Sequence, residues 1–288
     1  MLKSEYADKF EIGVTPERLT KISQVSRILD EILNRAPYRQ APYVGESAFA
    51  TKAGIHASAI IKNPETYEHV NPTAVGNQRR LLVGDQAGKS NVLSALNDIG
   101  IDIAKGDPRL DRILDEVKER EATGYAYEAA EASFELLARR MMGDVPQYFS
   151  VESYRVLVER RYDAKGELRT ISEATVKVSL QGQDEQLWSV AEGNGPVNAL
   201  DGALRKDLGH YQENIRDIEL VDYKVRILTG GTEAVTRVLV ETLDTVTRER
   251  WFTVGVSPNI VDASFEALID SINYKLMKDG AAAGHAAA

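Results

Sequence analysis

One order of elements occurs twice in the second half of this chain, and no other feature constrains the fold as strongly. From about residue 147 the hydrophobic period changes from 3.6 to 2. Tyr154 to Tyr162 predicts a strand, and Asp163-Ala-Lys-Gly166 predicts a hairpin turn. Glu173 to Leu180 and Gln186 to Glu192 predict two more strands, and Gly193-Asn-Gly-Pro196 leads into a helix over Val197 to Leu208. The series then repeats, with strands at Leu220 to Leu228, Val235 to Thr242 and Glu249 to Val254. Gly255-Val-Ser-Pro-Asn259 leads into a helix over Ile260 to Leu276. The result is two βββα units at a period of roughly 65 residues, which are expected to bury a shared core. Trp188 and Trp251, each shortly before a glycine, read as equivalent positions.

Residues before 147 read as helical. Thr15-Pro16-Glu17 is a helix start: a cap, a proline suited to the first turn and an acid that complements the dipole. Leu19, Ile22, Val25, Leu29, Ile32 and Leu33 follow at helical spacing. Further helices are expected at Asn91 to Ile99, from Asp107-Pro108 onward, and at Tyr127 to Met142. The fold class is therefore α+β. Residues 1–146 form mainly helical subdomains, 147–280 form the duplicated βββα domain, and the Ala-rich residues 281–288 are expected to be a disordered tail.

Chemistry-bearing residues concentrate between 45 and 77, in a stretch that reads as loops with short helices. His56 lies in Gly54-Ile-His-Ala-Ser, and Tyr67 and His69 lie in Tyr67-Glu-His-Val-Asn-Pro72. An imidazole flanked by small residues suits proton relay near neutral pH, but an isolated histidine is more often a cap or a core residue. The thirteen positions from His56 to His69 match no zinc spacing, and no metal is expected here. Asp85-Gln-Ala-Gly-Lys-Ser-Asn91 lacks the leading glycine of a phosphate loop and reads as the cap of the helix at Asn91. In the repeats, a glycine turn before a helix offers free N–H groups to a carboxylate, or merely reverses the chain.

The chain has no cysteine and hence no thiolate or disulfide chemistry, which fits a reducing cytoplasm. A net charge of −9 argues against a nucleic-acid partner. No apolar run reaches the length of a membrane span.

Together these motifs resemble the 2-isopropylmalate, homocitrate and citramalate synthase family. Gly54-Ile-His56-Ala-Ser, Tyr67-Glu-His-Val-Asn-Pro72, Val75-Gly-Asn77 and Asp85 to Asn91 resemble the segment that follows its catalytic barrel. The double βββα region, with Gly193-Asn-Gly-Pro196 and Trp251 to Ser264, resembles its C-terminal regulatory domain and looks most like the citramalate synthase branch.

The resemblance implies an acyltransferase that condenses acetyl-CoA with a 2-oxo acid, pyruvate in the citramalate branch, as a cytoplasmic homodimer. It implies a divalent metal held by a barrel through a His-x-His pair. No His-x-His occurs in this sequence, so the chain reads as the C-terminal part of such an enzyme, inactive by itself. His56 and Tyr67 match the family's proton-transfer histidine and a tyrosine lining the same site. Leu220, Tyr223 and Ile227 match the effector pocket, with Val197 and Pro258 similarly placed. The implied effector is isoleucine, or leucine for a 2-isopropylmalate synthase type. The two differ by one methyl's placement, a discrimination worth about 1–3 kcal/mol. A stand-alone branched-chain amino-acid-binding module is the remaining alternative.

Overall fold

A computed structural model describes residues 9, 13–33, 37–51, 56, 59, 60, 62–81, 89–162, 164–181, 186–231 and 234–283. The chain forms two compact units, Met1–Lys105 and Gly106–Ala288. The sequence pattern put the division after residue 146. The helices at 108–123 and 131–142 belong instead with the repeats: side chains of the second bond to the last helix, and the first packs against the second.

In the first unit the predicted N-terminal helix is two helices, α1 (Pro16–Leu19) and α2 (Ile22–Ile32). Thr15 caps α1 by accepting from the Arg18 N–H. In α2 Ile22, Val25, Ile28, Leu29 and Ile32 are exposed, whereas Ser23 and Asp30 are buried. The Ser23 hydroxyl donates to the Val75 carbonyl at 2.7 Å, so the polar side of this helix faces its own unit. Two short parallel strands, β1 (Ala50–Thr51) and β2 (Arg80–Leu81), tie the loop region together. Between them run 3-10 turns at Pro64–Thr66 and Pro72–Val75, each capped by the asparagine before its proline. α3 spans Lys89–Asp98, so it starts ahead of Asn91. Residues 85–88 of the phosphate-loop-like stretch lie outside the described residues.

The second unit opens with α4 (Pro108–Thr123). Asp107 caps it, and its carboxyl is held near 2 by the Arg109 side chain and backbone N–H. After a 3-10 turn at Tyr127–Ala129 comes α5 (Glu131–Met142). The first repeat is β3 (Phe149–Tyr162), β4 (Leu168–Leu180), β5 (Gln186–Gly193) and α6 (Pro196–Asp207). A 3-10 turn at Gly209–Tyr211 and the short α7 (Gln212–Ile215) lead to the second repeat. It consists of β6 (Ile218–Ile227), β7 (Thr236–Asp244), β8 (Arg250–Ser257) and α8 (Ile260–Lys278). Each repeat is an antiparallel sheet in sequence order with its helix on one face. Alternation sets that face: Ala174, Val176, Val178 and Leu180 of β4 are buried under α6, and Val238 and Val240 of β7 under Ala263 and Ala267 of α8. One buried cluster joins Tyr148, Leu200, Leu204 and Ile218 to Trp251, Phe265, Leu268 and Ile272, so the repeats share a core as the sequence predicts.

Register corrects two expectations. Ala174 pairs with Ala191 in the first sheet as Val238 pairs with Gly255 in the second. Trp188 therefore corresponds to Phe252, and it lies one residue out of phase with Trp251. A one-residue offset flips a side chain to the other face. Trp188 is 73% exposed on the outer face, while Trp251 is 7% exposed on the inner one. Gly255 is a strand residue and makes no turn. A Cβ there would lie 2.0 Å from the Ala263 carbonyl oxygen, so the glycine lets α8 approach its strand. At Gly193 a Cβ would meet the Ala199 nitrogen at 2.5 Å. At the start of α8 one N–H is also already engaged, since Asn259 Oδ1 accepts from Val261 N at 2.9 Å.

Two strand edges are closed by side chains. Lys206 donates to the Val190 carbonyl at 2.8 Å, and Asp207 accepts from Ser189, also on β5. On β8 the Val254 N–H donates to Ser133 Oγ of α5 at 3.1 Å. Of the predicted tail, Ala281 packs against the core and its N–H bonds to the Leu276 carbonyl. Residues 284–288 lie outside the described residues.

Candidate functional site

In the first unit the loop between β1 and β2 brings His56 and Tyr67 together. Their ring centroids are 4.6 Å apart with planes tilted by 34°. His56 is exposed and Tyr67 is 52% exposed, which excludes a core role for either. The loop is held by polar contacts. Asn77 Nδ2 donates to the carbonyls of Tyr43 and Gly45 at 2.9 and 2.8 Å. Arg79 grips Glu68 with two bonds of 2.6 Å, and this partner raises the guanidinium above its usual range. Tyr43 adopts a left-handed φ of 66°, uncommon for a non-glycine residue, and its hydroxyl lies 3.5 Å from His69 Nε2. Sequence reasoning missed Tyr43, because no spacing rule links it to His69. The loop thus presents an imidazole on a phenol face at the surface, able to carry a proton to a group brought against it. Among the described residues no three histidine, aspartate or glutamate side chains converge as a metal would need, so the ion implied by the resemblance finds no fit here.

In the second unit Leu220, Tyr223 and Ile227 lie on β6 at spacings that do not alternate evenly. A bulge resolves this: pairing with β7 shifts between Leu220 and Asp222. Leu220 then faces with Thr242, Tyr223 with Val240, Val225 with Val238 and Ile227 with Thr236, all on the side of α8. α8 packs over β7 and β8, and β6 extends beyond it. Leu220 is 41% and Ile227 67% exposed. Tyr223 bridges the gap. Ser264 in α8 donates to the Ile260 carbonyl, so the Tyr223 hydroxyl, 2.6 Å away, donates to Ser264 Oγ. This leaves an open apolar shelf whose Ile227 end lies, through the Thr236 and Ser257 pairing, beside the start of α8. Pro258 sits exposed at that end. Val197, in the first turn of α6, packs against the shared core, and nothing places it on the shelf. Among the described residues no helix is long and apolar enough to cross a membrane.

In comparison with known proteins the two sites fall in different family models, the first of which runs past Lys105 to the end of α4. The sequence model described as "Homocitrate synthase post-HMGL domain-like" matches residues 43–124, the stretch that carries His56 and Tyr67. Curated relatives include the (R)-citramalate synthases of Aquifex aeolicus, 48% identical over 274 residues, and of Geobacter sulfurreducens, 47% identical over 264. That of Synechocystis is 49% identical over 265 residues. These alignments cover 94%, 91% and 91% of this chain but 51%, 49% and 48% of the relatives. The chain thus spans about half the length of the curated relatives it matches. The model of the "LeuA allosteric (dimerisation) domain" matches residues 128–276, from the approach to α5 through both repeats. That match takes in just over half of the chain, and the protein belongs to the LeuA allosteric (dimerisation) domain family.

Proposed function

We propose that this chain contributes to an acyltransferase of the citramalate synthase type, which condenses acetyl-CoA with pyruvate to (R)-citramalate in isoleucine biosynthesis in the cytoplasm. In this reading the β6 shelf is the feedback site for isoleucine. One observation carries it: the bulge aligns Leu220, Tyr223 and Ile227 as an open apolar surface beside the first turns of α8. An aliphatic side chain would lie on that surface, with Pro258 at its end and Val197 more remote. The names of the relatives and the family of the repeats support the same reading.

His56 and Tyr67 fit one edge of an active site, exposed until another surface completes it. The resemblance places the metal on a barrel bearing His-x-His, a pattern that residues 1–288 do not contain. Residues 1–288 by themselves should therefore release no CoA from acetyl-CoA and pyruvate. The family of the repeats supports a homodimer formed through them.

Thermal-shift titration tests the feedback site. L-isoleucine should raise the melting temperature of the chain, L-aspartate should not, and Ile227→Asp should reduce the response. A shift with leucine and none with isoleucine would instead favour a 2-isopropylmalate synthase type. Absence of any shift at saturating branched-chain amino acid would refute the shelf as an effector site.

A further inference from the structure

The bulge in β6 has a counterpart in β3. Pairing with β4 shifts between Val151 and Ser153, and a tyrosine, Tyr154, again follows. Val151 and Tyr154 thus stand in the first repeat where Leu220 and Tyr223 stand in the second. At that place the structure holds a cleft of about 700 Å³, within the range of small-molecule sites.

One wall of the cleft is apolar, with Val151 and Tyr154 from β3 facing Phe265 and Ile269 from α8. The rings of Tyr154 and Phe265 are 5.1 Å apart, edge to face. Arg120 of α4 and Arg140 of α5 line the cleft together with Glu266 and Asp270 of α8. Arg140 Nη1 donates to Asp270 at 3.0 Å, and Arg120 Nε to Glu116 at 2.6 Å. A guanidinium carries five N–H donors in a fork that fits a carboxylate, more than these bonds use. Glu266 accepts from two neutral groups, the Tyr125 hydroxyl at 2.5 Å and the Val256 N–H at 3.0 Å. Burial pushes its carboxyl above the usual range, so a cation beside it would be favoured.

We propose that this cleft is a second site for an aliphatic α-amino acid. The carboxylate meets Arg120 and Arg140, the ammonium meets Glu266, and the side chain lies against Val151, Tyr154, Phe265 and Ile269. The ligand class rests on the reading of the β6 shelf as an amino-acid site, while the location rests on the cleft itself.

Isothermal titration of the full chain with L-isoleucine and L-leucine counts the sites. Two equivalents per chain are expected. Val151→Trp, which fills the cleft, should remove one of them. Arg140→Lys keeps a charge beside Asp270 but loses the fork, and should weaken that equivalent by about tenfold or more. It also keeps the test open if the tryptophan variant misfolds. Ile227→Asp should remove the other equivalent and leave the cleft's intact. A single equivalent that Ile227→Asp abolishes and both cleft variants spare would overturn the proposal. A single equivalent that survives Ile227→Asp and responds to both cleft variants would support the cleft and overturn the shelf. No binding of either amino acid overturns both.

Discussion

At Gly255 an added methyl group would need space 2.0 Å from the Ala263 carbonyl and 3.0 Å from the Ala267 nitrogen, both backbone atoms of a buried helix. Gly255→Ala should therefore destabilise the protein by about 1–3 kcal/mol, read as a lower urea midpoint with an unchanged slope. The half-buried Lys275 pairs with the buried Asp244 at 2.7 Å and with Asp279 at 2.8 Å. Burial alone would raise the Asp244 carboxyl, but Lys275 and the N–H groups of Thr247 and Val246 outweigh it and hold the group at about 2. Lys275→Met leaves that carboxylate buried without its cation and should cost about 3–5 kcal/mol in equilibrium unfolding. The sign for pH follows from the same shift. The unfolded aspartate titrates near 3.9, so this stabilisation is present above about pH 4 and is lost as pH falls towards 2. The wild-type protein should lose more stability across that window than Asp244→Asn does. None of this was legible in the sequence. Gly255 announced only conformational freedom, and the atoms that crowd it belong to residues eight and twelve positions later on a helix folded back over the strand. His56 and Tyr67 were legible as neighbours only through the family resemblance, which put both at one site; their rings do meet.

β6 depends on one inserted residue. If Val221 took an ordinary place in the ladder instead of bulging, Ile218 and Leu220 would turn to the opposite face from Tyr223. Ile218 belongs to the buried core. Deleting Val221 leaves Leu220 and Tyr223 two positions apart on the same face, so it should keep the isoleucine-induced thermal shift and cost far less than the roughly 2–5 kcal/mol of losing a large aliphatic side chain from a core. Urea unfolding and thermal-shift titration of the deletion check both parts. Strand identity was read correctly from period-2 alternation, and both helices of the repeats were recognised to within a turn. The bulges were invisible in that pattern. Apolar residues occur on both faces of β6, among them Leu220, Val221 and Val225, so the sequence has no phase break to show where the extra residue sits. For the same reason Trp188 passed as the equivalent of Trp251. The turn residues gave the order of the strands, but only hydrogen-bond pairing fixes which of them stand opposite one another.

The two compact units bury their residues by different means. The second has a continuous core, whereas α2 in the first turns serine and aspartate inward and an isoleucine-rich stripe outward. Such a stripe should bind a hydrophobic dye. Val25→Lys with Leu29→Lys should reduce 8-anilinonaphthalene-1-sulfonate fluorescence without lowering the melting temperature, since neither side chain is buried. The division at Lys105 further predicts that residues 106–288 expressed alone unfold cooperatively, which calorimetry would check. The repeats themselves have diverged at a telling place. Lys206 and Asp270 occupy the same position along α6 and α8, where one closes the edge of β5 and the other receives Arg140 and Ser133 of α5. A gene with two copies of one motif is open to unequal crossing-over, which would fuse the front of one repeat to the back of the other. A crossover within the two helices would yield a hybrid that sets lysine against Arg140, or aspartate against the bare Val190 carbonyl. The reversed charge should make such hybrids less stable than the parent chain, which urea unfolding of the two fusions would check.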